Sequence, residues 1–237
     1  MIPFLRMVMA ATFMVVVIPL AALFVFPWTL LTRNAAFLYW IGMKIARIAV
    51  WLTGTKVQIQ GLDKIDPAGT YIFMSNHVSN LDGAILAPRI PRRTSVLAKK
   101  ELWRVPVLAQ ALTLASIVPV ERQNREAAIQ SIKSAAEVMR KGLNMMVFPE
   151  GTRSLDGQLQ SFRKGPFYLA AETGFPIVPV TMVNTFEMMP KGNFTATGGT
   201  AIMVFHSPID PKNFTSREEL MTAVAEAIRS DLPPEQR

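Results

Sequence analysis

The chain has 237 residues, enough for one domain of ordinary size and a small appendage but too few for a second full domain. It contains no cysteine, which excludes disulfides and thiolate nucleophiles, and its two histidines give no reason to expect a metal site. Half of the residues are hydrophobic and the formal net charge is +8, so an apolar surface and an anionic partner are both to be sought.

The placement of the early charges favours a membrane over nucleic acid as that anionic partner. Residues 1–54 contain no acid and only four basic residues, and all four lie inside or beside apolar sequence: Arg6, Arg33, Lys44 and Arg47. A nucleic-acid-binding protein more often shows a basic run or an RNA-binding signature. We therefore expect contact with membrane lipid and none with nucleic acid.

Residues 1–54 are predicted to form a membrane-anchoring helical hairpin. Residues 7–28 carry no charge, and as a helix they would rise about 33 Å, close to the thickness of a bilayer core. Pro19 would kink that helix. In the second apolar segment, Lys44 and Arg47 share a helix face, as in a helix lying at the interface. A cleaved signal peptide is the competing interpretation, but the run is longer than an ordinary signal core and no polar cleavage region follows.

Residues 55–237 are predicted to form an α/β domain, a mixed and mostly parallel sheet flanked by helices. Helices are predicted over 125–142 and, from a Ser216 and Glu219 capping box, over 216–230, and only the tail from residue 231 is expected to be disordered. Seven apolar runs bounded by turn residues predict strands: TKVQIQ, TYIFMSN, SVLAK, ASIVPV, NMMVFPE, PIVPVTMVN and TAIMVFHS.

A first polar cluster, SNHVSNLD, follows the second predicted strand. Asp82 can fold back to His77 and hold one ring nitrogen while the other faces substrate, which makes a general base. Asn76 beside it is a candidate substrate contact. Taken alone, a histidine and an aspartate five residues apart are better explained as a helix cap, because such pairs arise often by chance.

Three further clusters also follow or bound predicted strands. In VFPEGTRS, Gly151 permits a sharp turn, while Glu150, Thr152 and Arg153 offer an acceptor, a hydroxyl and a guanidinium that can grip a phosphate. Each cluster also has a purely structural interpretation: VFPEGTRS as a surface turn, VPVERQNR as a solvated charge patch and FPIVPVTM as a structural proline pair. The other two clusters supply Arg122 and Arg125, in VPVERQNR, and Pro179, in FPIVPVTM.

Taken together, the order NHVSNLD, VPVERQNR, FPEGTRS, FPIVPV resembles the four blocks of the glycerolipid acyltransferase family, most closely its lysophosphatidic acid acyltransferase branch. The match runs from about Tyr71 to Val183, and its first and third blocks are specific. Asn80 departs from the pattern, because an aromatic residue is common at that position. Val78 likewise stands where many members carry Gln, so the two departures put acceptor preference in doubt.

The resemblance implies an enzyme of the inner (cytoplasmic) membrane whose catalytic domain faces the cytoplasm. It would transfer an acyl chain from coenzyme A or acyl carrier protein, without another cofactor, to the sn-2 hydroxyl of 1-acyl-glycerol-3-phosphate. By position, the catalytic residues are His77, Asp82 and Glu150, and the substrate-binding residues are Asn76, Lys100, Arg122, Arg125, Gly151, Thr152, Arg153 and Pro179.

Two parts of the expected site have less support from the blocks. The sequence does not identify the groups that stabilise the oxyanion, for which backbone N–H groups near the NHVSNLD turn are candidates. A basic cluster is expected to receive the acyl carrier or anionic lipid, and it comprises Arg89, Arg92, Arg93, Lys99, Lys100 and Arg104.

Several alternatives remain at this point. Acylation of another lysolipid, such as lyso-ornithine lipid, fits the same blocks. A serine hydrolase acting on lipids is disfavoured because no G-x-S-x-G sequence occurs. A non-enzymatic membrane-surface module would have no use for the His77 and Asp82 pair. His206, which has Asp210 nearby but no block around it, is interpreted as a strand-end histidine.

Overall fold

Two long helices precede the sheet in the computed structural model, which describes residues 1–121 and 125–237. Helix α1 (Ile2–Thr32) runs as one helix through Pro19 and Pro27. By length and composition it is able to cross a membrane, with a mean hydropathy of 2.6 over an 18-residue window of which only 11% is buried. An apolar helix that packs so little against its own protein needs another apolar environment.

Helix α2 (Ala36–Leu52) packs antiparallel against α1. The chain reverses at Arg33, which adopts a left-handed backbone conformation with φ of 53°. At the other end, the Arg6 guanidinium covers Gly54, where a Cβ atom would come within 2.5 Å of Nη1. The start of α1 therefore lies beside the end of α2, and the predicted hairpin of two helices is confirmed.

All seven predicted strands are present and form one sheet in the order β1-β7-β6-β2-β5-β3-β4. The five strands from β6 to β4 run parallel, whereas β1 and β7 are parallel to each other and meet β6 antiparallel. The predicted mixed, mostly parallel sheet is thus confirmed. The strands are β1 Thr55–Gln60, β2 Ile72–Ser75, β3 Thr94–Lys99, β4 Val118–Val120, β5 Asn144–Val147, β6 Ile177–Val183 and β7 Gly199–Phe205.

Helices cover both faces of the sheet, which alternate residue by residue along each strand. In β2, Phe73 packs with α2 and α3 on one face, while Ile72 and Met74 pack with α5, α6 and α8 on the other, and all three are fully buried. The remaining helices are α3 Asp82–Leu86, α4 Pro106–Leu114, α5 Arg125–Arg140, α6 Gly165–Thr173, α7 Thr185–Met188 and α8 Arg217–Ser230.

The C-terminal tail is ordered, so the prediction of disorder after residue 230 is wrong. Leu232 is only 2% exposed in the core under α8. The Gln236 side chain donates to Glu187 Oε1 at 3.0 Å, and its carbonyl accepts from the Leu159 N–H at 3.0 Å. One buried leucine and the two contacts of Gln236 fix a segment whose proline-rich, polar composition predicted disorder.

Candidate active site

The first cluster emerges from the centre of the sheet. All four residues of β2 are buried, and the strand lies between β5 and β6 with its carboxyl end at Ser75. His77 follows two residues later with a side chain that is 20% exposed. Because ligand groups gather at the carboxyl ends of strands in such sheets, His77 stands where the fold favours a binding site.

Asp82 holds both the ring and the turn of the first cluster. Its Oδ2 atom lies 2.9 Å from His77 Nδ1, and it also accepts the N–H groups of Val78 at 2.8 Å and Ser79 at 2.7 Å. Asp82 is fully buried at the first turn of α3. With Nδ1–H donating to this carboxylate, the Nε2 atom of His77 keeps its lone pair for a substrate proton.

Phe148 fixes the plane of the His77 ring. The two rings stack with centroids 3.9 Å apart and an interplanar angle of 16°. Phe148 directly follows β5, the neighbour of β2, so the parallel pairing of the two strands brings the residues together. The sequence reasoning missed this residue because an aromatic after an apolar strand looks like core. Its position inside VFPEGTRS was the available signal.

The EGTRS loop, residues 150–154, grips the main chain of His77 on both sides. The His77 N–H donates to Glu150 Oε1 at 2.7 Å, and the Ser154 N–H donates to the His77 carbonyl at 2.8 Å. The other oxygen of Glu150, Oε2, accepts from the Gln160 N–H at 3.2 Å. Glu150 therefore acts on the position of His77 through its backbone and not through its ring.

The environment of Glu150 raises its pKa to about 7. Burial is the largest cause, since the residue is only 2% exposed, and the negative charge of Asp82 adds to it. The N–H groups of His77 and Gln160 act in the opposite direction. Glu150 was expected among the catalytic residues, but its burial and its backbone partners make it a positioning residue.

The backbone N–H groups of the turn, which were candidates for stabilising the oxyanion, are already engaged. Those of His77, Val78 and Ser79 donate to Glu150 and Asp82, as described above. The N–H of Asn80 donates to the Met189 carbonyl at 2.9 Å. The two carboxylates thus consume most of the polar backbone that the sequence offered for this purpose.

Arg153 is a candidate cation for binding an anionic substrate. It is half-buried in the EGTRS loop and has no hydrogen bond or ion pair within residues 1–121 and 125–237. Gly151 makes the turn with φ of 77°, and a Cβ atom there would lie 3.2 Å from Arg163 Cγ. The Thr152 hydroxyl, in the exposed part of the loop, accepts from Lys191 Nζ at 3.3 Å. The loop that binds the main chain of His77 therefore also carries a hydroxyl and a guanidinium that has no ion-pair partner in the described residues.

Two residues expected to bind substrate are instead part of the sheet. The Asn76 side chain is fully buried, donating to the Met182 carbonyl at 2.9 Å and accepting the Met182 N–H at 2.8 Å, so it extends the pairing of β2 with β6. Pro179 is buried within β6 opposite Met74. Both predictions of a substrate contact are therefore replaced by structural roles, since neither side chain has a free polar group facing the site.

The second block is only partly placed. Arg122 lies outside the described residues, and Arg125 begins α5 with a side chain outside the described part of the chain. Lys100 Nζ forms an exposed ion pair with Glu121 Oε2 at 2.8 Å. A pair this exposed is worth only about 0–1 kcal/mol, so a stronger anion can displace Glu121.

The expected basic cluster is smaller than its composition suggests. Arg92 donates to the carbonyls of Gly69 at 3.1 Å and Gly142 at 2.7 Å. Arg89 donates to the Ile85 carbonyl at 2.7 Å, and burial lowers its pKa. The Arg92 guanidinium thus joins two loops of this protein and that of Arg89 binds its own helical segment, so both are already engaged.

His206 is the strand-end histidine that was predicted, directly after β7. Its Nε2 atom lies 2.8 Å from Thr181 Oγ1, which itself donates to the Ile228 carbonyl of α8. Burial lowers the pKa of His206, and the nearest carboxylate is Asp231 at 3.8 Å. Asp210, the neighbour in sequence, instead caps the Lys212 N–H at 2.9 Å.

Comparison with known proteins gives consistent matches. A family model described as Acyltransferase matches residues 56–183. The 1-acyl-sn-glycerol-3-phosphate acyltransferase of Limnanthes alba is 36% identical over 190 residues, 80% of this chain and 66% of that protein. The Borreliella burgdorferi protein of the same name is 31% identical over 173 residues, 73% of this chain and 69% of its own. The chain spans about two thirds of the length of its Limnanthes relatives and less than half of a chloroplastic Brassica napus relative.

A solved structure extends the similarity to nearly the whole chain. The crystal structure of the 1-acyl-sn-glycerophosphate (LPA) acyltransferase PlsC from Thermotoga maritima matches with a TM-score of 0.80 and 28% sequence identity. The match covers 96% of this chain and 93% of that one. The shared region therefore includes the N-terminal helices as well as the sheet.

Proposed function

The chain belongs to the Acyltransferase family and, within it, to the lysophosphatidic acid acyltransferase branch, and from this we propose that it acylates a lysophospholipid. The reaction is transfer of an acyl chain from an acyl thioester to the sn-2 hydroxyl of 1-acyl-glycerol-3-phosphate, giving phosphatidic acid. The observation that carries this proposal is the contact of His77 with Asp82 at the end of the central strand. An alcohol needs a base, and this pair supplies one.

The proposed chemistry is direct transfer. His77 Nε2 takes the proton of the acceptor hydroxyl as its oxygen attacks the thioester carbonyl, and Asp82 stabilises the imidazolium that forms. The tetrahedral intermediate then expels the thiolate, which takes the proton from the imidazolium. The new ester bond replaces the thioester bond, and the enzyme returns to its starting protonation state without a covalent intermediate.

Arg153 is the proposed anchor for the acceptor phosphate. A guanidinium presents paired donors that match phosphate oxygens, and this one has no competing carboxylate in the described part of the chain. Its loop is bound to the main chain of His77 through Glu150 and Ser154. Binding the phosphate at Arg153 would therefore hold the acceptor in a fixed relation to the base.

The donor is proposed to be a thioester of coenzyme A or of acyl carrier protein. Either carrier is anionic, and the cations left for it in the basic cluster, with Arg89 and Arg92 set aside, are Arg93, Lys99, Lys100 and Arg104. Coenzyme A offers compact phosphates, whereas acyl carrier protein offers an acidic surface. A product assay with each carrier in turn distinguishes the two donors.

The N-terminal hairpin is proposed to sit in the inner membrane with the sheet domain on the cytoplasmic side. Side chains along α1 are strongly exposed, with Val15 at 74%, Phe24 at 75% and Leu31 at 84%. Each would gain roughly 1.5–3 kcal/mol on leaving water for an apolar phase. A lipid substrate also requires the active site to lie near the membrane surface.

A product assay with a panel of acceptors tests the proposed function. The purified full-length protein is incubated with isotope-labelled acyl-coenzyme A or acyl carrier protein and, separately, with 1-acyl-glycerol-3-phosphate, lysophosphatidylcholine, monoacylglycerol and lyso-ornithine lipid. Mass spectrometry should identify phosphatidic acid as the main product. Acylation of lyso-ornithine lipid alone would replace the acceptor, and release of free fatty acid without any ester product would point to a hydrolase.

A further inference from the structure

A loop beyond the residues that the family model matches is tied to the catalytic turn. This loop, residues 189–194, follows α7 and lies outside residues 56–183. The Met189 carbonyl accepts from both the Asn80 N–H and the Ser79 hydroxyl, each at 2.9 Å. The 189–194 loop is therefore fixed next to the turn that carries His77.

The side chain of Asn80 makes the second half of this attachment. Its Nδ2 atom donates to the carbonyls of Pro190 at 3.1 Å and Asn193 at 2.8 Å. Phenylalanine has no such donor, and the single N–H of tryptophan or O–H of tyrosine could not replace the two N–H groups of the amide. Since Pro190 and Asn193 lie on either side of Lys191 and Gly192, Asn80 holds the backbone from which the Lys191 side chain projects.

Lys191 reaches from this loop to the EGTRS loop. Its Nζ atom lies 3.3 Å from Thr152 Oγ1. Thr152 stands between Glu150 and Ser154, both of which bind the main chain of His77. The ammonium group is thus held against the same loop that binds the main chain of His77.

Lys191 is available to an anion because, unlike two other exposed lysines, it has no carboxylate partner in the described residues. Lys100 and Lys164 are paired with Glu121 and Glu218, at 2.8 and 3.0 Å. Lys191 has no carboxylate partner in the part of the chain that the structure describes, and the same is true of Arg153. A phosphomonoester carries a charge of about −1.5 to −2 at neutral pH, which two cations match better than one.

Exposed apolar side chains close to both cations indicate that the anion belongs to an amphiphile. Leu155, two residues after Arg153, is 75% exposed, and Phe194, three residues after Lys191, is 82% exposed. Large apolar groups so open to water favour an apolar environment next to the charged site. A phosphate attached to a lipid chain in a membrane satisfies both the cations and these side chains.

We propose that Lys191 is a second phosphate-binding residue for the acceptor, acting with Arg153, and that it selects lysolipids with a phosphomonoester headgroup. This inference rests on the proposed function. It concerns how the acceptor is recognised and leaves the base chemistry of His77 unchanged.

Steady-state kinetics on three full-length variants test the role of Lys191. Initial rates are measured in mixed micelles with 1-acyl-glycerol-3-phosphate and acyl-coenzyme A varied in turn. Lys191→Gln should raise the acceptor KM by about tenfold, the effect of one lost charge-assisted contact, with kcat and the donor KM changed by less than about twofold. Lys191→Arg should restore most of the loss, because the charge is retained.

The matched control is Lys212→Gln. Lys212 is also exposed, but it lies beside Gly174, which precedes the start of β6. This is the opposite end of the parallel strands from the site. It should behave as wild type. An unchanged acceptor KM in Lys191→Gln, or equal increases for acceptor and donor, would overturn the assignment.

The outcomes also separate this inference from the proposed function. If the wild-type protein makes phosphatidic acid and Lys191→Gln matches it, only the role of Lys191 is lost. If the wild-type protein acylates a zwitterionic lysolipid in preference to 1-acyl-glycerol-3-phosphate, the proposed acceptor fails and the charge argument fails with it.

Discussion

His77 and Glu150 are joined through the main chain, with the His77 N–H 2.7 Å from Glu150 Oε1. The two residues belong to blocks that are 73 positions apart. They meet because β2 and β5 are parallel neighbours whose pairing ends at Met74 and Val147, so the segments that follow leave the sheet side by side. The base is therefore positioned by an acid that has no contact with its ring.

The stability of the protein should depend on pH through Glu150. The pKa of Glu150 rises from 4.5 to about 7, so folding favours the protonated carboxyl. Its contribution to stability is then fully present below pH 4.5 and is lost as the pH rises through about 7. Relative to Glu150→Gln, the wild-type protein should lose on the order of 3 kcal/mol across that window.

Thermal unfolding in detergent at pH values from 5 to 8 measures this difference. Glu218→Gln is a suitable control, because the hydrogen bond and the charge of Lys164 lower the pKa of exposed Glu218, away from the pH range of the measurement. Wild-type and Glu150→Gln curves that stay parallel would show that Glu150 does not titrate in this range. Glu150→Gln should also retain more activity than Glu150→Ala, because Gln keeps an acceptor for the His77 N–H and Ala does not.

Loss of Arg153 should weaken use of the acceptor. Arg153→Ala is expected to cost about 1.5–3 kcal/mol in acceptor kcat/KM, since a charge-assisted bond to phosphate is lost. Lys at this position should rescue only part of it, because an ammonium cannot form paired bonds. Arg140→Ala is the matched control, being an exposed arginine that lies 3.9 Å from Glu172 on α6. Equal losses toward donor and acceptor would argue against phosphate binding by Arg153.

The sequence predicts the same phosphate-binding role for Arg122, which lies outside the described residues. If it shares the phosphate with Arg153, Arg122→Ala should also weaken acceptor use, by a similar amount. The same kinetic series measures it. An effect confined to the donor would move Arg122 to the carrier site.

Charges placed on α1 should release the protein from the membrane. Val15 and Phe24 are 74% and 75% exposed, so Lys at both positions leaves the packing of the domain intact. A lysine near the centre of an apolar helix costs about 2.5–3.5 kcal/mol in a membrane. The double variant should therefore shift from the membrane pellet to the supernatant after ultracentrifugation.

The control for this experiment is Ile129→Lys, which adds a charge at a 49% exposed position of α5 and should stay in the pellet. The side from which α1 enters is measured separately. Because the chain has no cysteine, Asn34→Cys gives a single label site in the turn between α1 and α2. Labelling of intact cells by an impermeant thiol reagent would show that the turn crosses the membrane and would contradict the hairpin.

Much of the fold was predictable because the strands are short apolar runs between turn residues. The run NMMV is fully buried in β5, and Pro149 and Gly151 end the strand earlier than predicted. The contact of His77 with Asp82 was also predictable, since both lie on one local turn. Local residue pattern therefore accounts for the elements and for the catalytic pair.

Contacts made by the main chain were not predictable in the same way. The bonds from the His77 N–H to Glu150 and from Asn80 to the 189–194 loop join distant segments through groups that every residue has. Asn76 was misjudged for a related reason, because a polar side chain after a strand can extend the sheet as well as face a ligand. Residue type alone does not distinguish the two.

The reaction should proceed with donor and acceptor bound together. Ser75 and Ser79 are the hydroxyls nearest to His77 in sequence, and both are fully buried. Ser79 Oγ donates to the Met189 carbonyl and Ser75 Oγ to the Asn76 carbonyl, so neither is presented to a thioester. Initial rates over a grid of both substrates should give intersecting reciprocal plots.

Mass spectrometry of the enzyme incubated with donor alone provides the complementary result. The protein mass should remain unchanged, since no residue carries the acyl group. Parallel reciprocal plots together with an acyl adduct on Ser75 or Ser79 would show a covalent intermediate, and His77 would then activate an enzyme nucleophile.

The most direct test of the account is the rate of phosphatidic acid formation by full-length His77→Ala, compared with wild type, Asp82→Asn and His206→Ala. Loss of the base should remove nearly all transfer, and loss of its tautomer control in Asp82→Asn should lower turnover by about three to four orders of magnitude. His206→Ala should match wild type, because that ring is bound to Thr181 and not to the site. A folded His77→Ala protein that still makes phosphatidic acid at a substantial rate would contradict the assignment of His77 as the catalytic base.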